Sequence, residues 1–135
     1  MDSILVISAE TNNLAPLRRF IKEKAAELQA KQHAIDDLVQ AVDESATNII
    51  VHGYRGRPGS IEIAIGLAGD MLMVRLRDQA PQFDPTRVPP PDLSVPIEER
   101  IAGGLGVFLT MNLMDRVTYR VTPDGGNELT LQKKL

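Results

Sequence analysis

The 135-residue chain contains no cysteine. That excludes disulfide staples and thiolate metal sites, and it fits a cytoplasmic protein in a reducing compartment. Its two histidines, His33 and His52, are too few and too isolated for an all-protein transition-metal centre. No basic run is present and the net charge is −3, which argues against affinity built on phosphate-backbone contacts, so no direct nucleic-acid partner is expected. No stretch has the uninterrupted apolar length that crosses a membrane, and the opening MDSILVISAE lacks the basic and extended apolar regions of a secretory signal. What is present is the composition of a globular protein, 43% apolar and 24% charged, at the length of one ordinary domain spanning residues 1–135.

Periodicity divides the chain. Ser3–Ser8 is short and β-prone, Thr11, Asn12 and Asn13 each offer a helix N-cap, and Leu14, Leu17, Ile21, Ala25 and Leu28 place one apolar stripe on a helix over Leu14–Ala30. Arg18, Arg19, Lys22, Glu23 and Lys24 then form its solvated face. A second helix begins near Gln32–Asp36 and ends where Gly53 and the Gly/Pro-rich GYRGRPGS supply stop signals, with Leu38, Val42, Ala46 and Ile49 toward the core. Glu44 and Asn48 fall on a different stripe at i and i+4, so their side chains project together. From Ser60 the period is two: Ile61, Ile63 and Ile65, a turn at Gly69-Asp70, and an alternating run over Met71–Arg77 make an antiparallel hairpin. Six prolines between Pro81 and Pro96 exclude a central strand or a continuous helix, and a loop of that length inside a domain is usually functional or disordered. Gly103–Gly106 opens a third helix, and Val117–Val121 with Glu128–Lys133 closes the chain as a hairpin around Pro123–Gly126. The order β-α-α-β-β-loop-α-β-β, without a βαβ repeat, predicts an α+β fold: a two-layer sandwich with a mainly antiparallel sheet covered on one face by about three helices.

Three features carry chemistry. Glu44 and Asn48 are either a functional pair or two members of a solvated face. The glycines at 103–106 either cradle a phosphate at a helix N-terminus or serve as a hinge for the proline-rich loop. Asp78, at a strand end, either accepts from an exocyclic amine or caps a turn. The Walker and Rossmann glycine patterns are absent.

Read together, the segments DESATNIIVHGY, DQAPQFDP, GGLGVFLTMNLMDRVTYR and the closing GGNELTL resemble, in order and spacing, the sequence boxes of the GHKL ATPase superfamily. Within it the chain is most similar to the anti-sigma-factor serine/threonine kinases of bacterial partner-switching systems. The resemblance implies a single ATPase/kinase domain with residues 79–106 as an ATP lid, using ATP and Mg²⁺. It makes Glu44 the catalytic base or polariser and Asn48 the Mg²⁺ ligand and a cofactor contact. Asp78 becomes the adenine acceptor, with Ala80 and Phe83 following it where the family has its second box. Arg100, Gly103, Gly104, Leu105 and Gly106 become phosphate-side contacts. The last box has Asn127 where many members carry threonine, leaving Thr130 as the nearby hydroxyl; Ala80 stands where the family generally has glycine. The implied partners are a sigma factor and an anti-anti-sigma (STAS-type) antagonist, with the chain a homodimer. Ala80 and Asn127 motivate the alternative, a non-catalytic regulator that sequesters partners. No histidine-bearing dimerisation helices precede these residues and no transducer domain follows, which turns the resemblance away from sensor histidine kinases and gyrase-type ATPases.

Overall fold

The computed structural model describes residues 2–89, 94 and 104–135. Five strands appear among them: β1 (Ser3–Ser8), β2 (Ser60–Ala68), β3 (Met71–Asp78), β4 (Arg116–Val121) and β5 (Asn127–Lys134). The α-helices are α1 (Leu14–Glu27), α2 (Gln32–Thr47) and α3 (Gly104–Leu113). The strands make one sheet in the order β1-β2-β3-β5-β4, every neighbouring pair antiparallel. The expected α+β architecture is therefore the observed one.

Each element follows from where its apolar residues fall. On α1, Leu17, Ile21 and Ala25 repeat every four residues and are fully buried. On α2, Ala34, Ile35, Leu38, Val39, Ala41, Val42, Ser45 and Ala46 form a broad buried stripe. Period two in the strands sends Ile61, Ile63 and Ile65 of β2, Leu72, Val74 and Leu76 of β3, and Leu129 and Leu131 of β5 to the same core. Fully burying one such side chain is worth about 1.5–3 kcal/mol, so this shared stripe dominates the fold.

Local capping differs from expectation. Thr11–Asn13 form a 3₁₀ turn, and the Asn13 side chain donates back to the Ser8 carbonyl (3.0 Å) and hydroxyl (2.8 Å) instead of capping α1. The helix ends at Glu27, three residues early, because Gln29 turns left-handed (φ 64°) and Ala30 donates to the Ala25 carbonyl. Arg18 leaves the predicted solvated face to pair with Asp43 of α2 at 2.5 Å.

The outer face of the sheet is polar. Glu128 is only 7% exposed yet charged, held by the Arg77 Nε (2.6 Å) and by the Arg120 Nε (2.8 Å) and Nη2 (3.1 Å) from the strands on either side. Hydrogen bonding by Arg120, and then by Arg77, holds its carboxyl below the ordinary glutamate range against the opposing effect of burial.

Candidate functional site

The second helical run ends inside the expected stop region 53–60, but its last turns change winding. From Asn48 to Tyr54 the chain continues as a π-helical segment, a wider winding that recurs at functional sites. It ends where Arg55 turns left-handed (φ 55°) and donates its N–H to the Ile50 carbonyl at 3.1 Å. Tyr54, 5% exposed, fastens this segment to the sheet. Its hydroxyl donates to the Ser60 carbonyl and accepts the N–H of Gln79, both at 2.8 Å. A Cβ at Gly59 would lie 2.2 Å from the Tyr54 ring, so the glycine makes room for it. One tyrosine thus sets the π segment against the residue that follows Asp78.

Asp78 is the last residue of β3 and pairs with Asn127, the first of β5. Period two turns both toward the helices, where they are 5% and 6% exposed. Asp78 Oδ1 accepts from the Ala80 N–H (2.9 Å) and from Asn127 Nδ2 (2.9 Å). Burial raises the Asp78 carboxyl above the ordinary range, opposed by these two hydrogen bonds. Asn127 Nδ2 also donates to the Ala80 carbonyl (3.0 Å), while its Oδ1 accepts from the Phe83 N–H (3.1 Å) and from the Tyr119 hydroxyl. Burial raises the Tyr119 phenol too.

A cleft of about 490 Å³ opens on this pair, within the usual range for small-molecule sites. Asn48, Ile49, His52 and Gly53 form one side, Val107, Thr110 and Met111 of α3 another, and Ala80 to Phe83 with Tyr119 the end beside Asp78. Arg55 and Arg57 add positive charge to its lining. Ala80 fits because its methyl faces Gly53: a Cβ built there would sit 3.0 Å from it.

At the α3 end, Gly106 approaches Glu44 of α2 and Asn48, the residue that follows α2. A Cβ on Gly106 would lie 2.6 Å from Glu44 Oε2 and 3.8 Å from Asn48 Nδ2. The i, i+4 spacing therefore delivers both side chains to the backbone of the first turn of α3, where unpaired N–H groups and the helix dipole favour an anion.

Glu44, Asn48 and Gly106 thus converge, and Asn48, Asp78, Ala80 and Phe83 line the cleft. Gly104 begins α3. The Leu105 side chain is 46% exposed and is not part of the cleft wall. Thr130 requires a correction. It is paired with Arg75 and Thr118 in register, three residues from the inward-facing Asn127, and strand alternation puts it on the outer face, away from the cleft. Arg100 and Gly103 lie outside the described residues, as does 90–103 of the expected lid apart from residue 94. Asn127, Tyr119 and Tyr54 are site residues that local sequence did not single out for these roles; the first two matter only because β5 lies between β3 and β4.

Residues 7–133 match the family described as histidine kinase-like ATPase domain. The chain belongs to that family. Among curated relatives, the serine-protein kinase RsbW of Bacillus cereus strain Q1 is 30% identical over 131 residues, covering 94% of this chain and 81% of the relative. The RsbW of strain AH187 is 34% identical over 103 residues, 73% of this chain and 63% of its own. A crystal structure of the RsbU and RsbW domains of a Mycobacterium tuberculosis protein superposes with a TM-score of 0.70 at 22% identity over 100% of this chain. The chain spans 32% of that longer one, and at that identity the likeness concerns the fold. Among the described residues no helix is long and apolar enough to cross a membrane.

Proposed function

We propose that this histidine kinase-like ATPase domain is an Mg-ATP-dependent serine/threonine protein kinase. In this reading it binds a sigma factor and phosphorylates an anti-anti-sigma antagonist in the cytoplasm, as a homodimer. The single observation that supports it best is that Asn48, which Gly106 and Glu44 approach, lines one cleft with Asp78. The relatives named serine-protein kinase support the reaction class.

The residues present fit the implied groups. Asp78 supplies a buried acceptor for an exocyclic amine, and the first turn of α3 supplies N–H groups for phosphate. Asn48 offers a hard carboxamide oxygen suited to Mg²⁺, which takes few protein ligands and shares the rest with phosphates and water. When bound, Mg-ATP supplies the transferable phosphoryl group and the neutralising metal charge. The chain's own residues then orient and exclude. In this reading Glu44 would accept a hydrogen bond from the substrate hydroxyl and turn its lone pair toward the phosphoryl group. Val107, Met111 and Tyr119 line the cleft and in this reading would exclude water from the base.

The alternative of a non-catalytic regulator rests on Ala80 and Asn127. Ala80 is accommodated by Gly53, and Asn127 hydrogen-bonds the Asp78 carboxylate, so neither residue argues against nucleotide binding. Incubation with Mg-ATP labelled at the γ-position and a STAS-type anti-anti-sigma antagonist tests the proposal. Labelled phosphoserine or phosphothreonine with the wild type and none with Glu44→Ala is expected. Transfer undiminished in Glu44→Ala, or none by the wild type, would refute it.

A further inference from the structure

We propose that Asn127 is the positioning residue that fixes Asp78 as a base-reading acceptor and ties it to the root of the loop leaving β3. The inference rests on the nucleotide reading of the cleft. The Asn127 amide is filled at both ends. Its oxygen accepts from the Phe83 N–H and the Tyr119 hydroxyl, and its nitrogen donates to Asp78 Oδ1 and the Ala80 carbonyl. Flipping it would set donor against donor at the Phe83 N–H and acceptor against acceptor at Asp78 Oδ1 and the Ala80 carbonyl, three contacts of fixed polarity, so the amide has one orientation.

That orientation determines what Asp78 presents. Oδ1 already accepts from the Ala80 N–H and Asn127 Nδ2, whereas no hydrogen bond from a described residue reaches Oδ2. One fixed acceptor suits the exocyclic amine of adenine and opposes the keto oxygen that guanine carries at the same ring position. Because Ala80 and Phe83 begin the segment after β3, the same side chain holds the base reader and that segment's root together. A threonine here has one hydroxyl and cannot serve four partners.

Titration calorimetry with Mg·ADP and Mg·GDP, alongside the thermal midpoint, tests this on wild type, Asn127→Thr and Asn127→Leu. The wild type is expected to prefer ADP. Both variants are expected to remain folded, to bind ADP about tenfold or more weakly for one lost charge-assisted hydrogen bond, and to lose part of the ADP-over-GDP preference. A merely structural role would lower the midpoint and leave that preference unchanged. If Asn127→Leu fails to fold, Tyr119→Phe, which removes one donor to the Asn127 side-chain oxygen, is expected to lower the preference in the same direction. A wild type that prefers ADP, with variants that keep both its affinity and its preference, overturns this inference alone. A wild type that binds neither nucleotide overturns the cleft reading and this inference with it.

Discussion

Replacing Gly106 by alanine separates stability from chemistry. Gly106 lies inside α3, where alanine is favoured over glycine by up to about 1 kcal/mol. The added methyl would stand 2.6 Å from Glu44 Oε2 and 3.6 Å from its Cδ. An ordinary contact needs roughly 3.4 Å or more, so the carboxylate must move by about 0.8 Å. It is the free end of a flexible side chain, and the move costs little folding energy. Its effect on reaction geometry is larger, since a misplacement of about 1 Å can cost roughly 100-fold in rate. Gly106→Ala should therefore keep or raise the thermal midpoint while ATP turnover, followed by ADP release under saturating Mg-ATP, falls by one to two orders of magnitude, about 10- to 100-fold. An alanine variant that is folded and turns over ATP at the wild-type rate would refute the placement of Glu44 against the first turn of α3.

Three further outcomes follow from the same coordinates. In Asp78→Asn the new amide oxygen can still accept from Ala80 and Asn127, so the fold should persist while its NH₂ meets the base, weakening ADP by about 1.5–3 kcal/mol in calorimetry. Glu128→Gln should cost about 1–3 kcal/mol in urea unfolding, nearer the lower value because Arg77 and Arg120 are 39% and 54% exposed. Since the folded-state Glu128 carboxyl lies below its ordinary value, its contribution is complete above the unfolded pKa of about 4.3 and disappears as pH falls through the folded one. The variant should accordingly flatten the acid limb of the stability curve. Gly59→Ala, which drives a methyl toward the Tyr54 ring, should destabilise by about 1–3 kcal/mol and release the Gln79 N–H to faster hydrogen exchange.

Much of this was legible along the chain because the decisive signals are local. The i, i+4 spacing of Glu44 and Asn48 was enough to place them on one stripe, and the shift to period two at Ser60 marked β2 to within a residue. The glycines before Val107 marked the start of α3, although only Gly106 is seen to touch the pair. The misses have non-local causes. The π winding from Asn48 runs to Tyr54, whose hydroxyl is anchored by Ser60 and Gln79, contacts no local propensity encodes. Thr130 is near the last box in sequence, but the β3–β5 register puts Asn127 on the cleft side and faces Thr130 outward. A three-residue step along a strand reverses the face. Asn13 illustrates competition between local partners, since Ser8 offers two acceptors and draws its side chain away from the helix end.

Amide chemical-shift mapping with Mg-bound, non-hydrolysable ATP tests most directly whether α2, the β3–β5 end and α3 form one nucleotide site. Saturable shifts at Asn48, Ala80, Gly106 and Asn127, with Thr130 unmoved, are the expected result. Saturable binding that shifts the outer sheet face around Thr130 and Arg75, and leaves Asn48 and Gly106 unchanged, would contradict it.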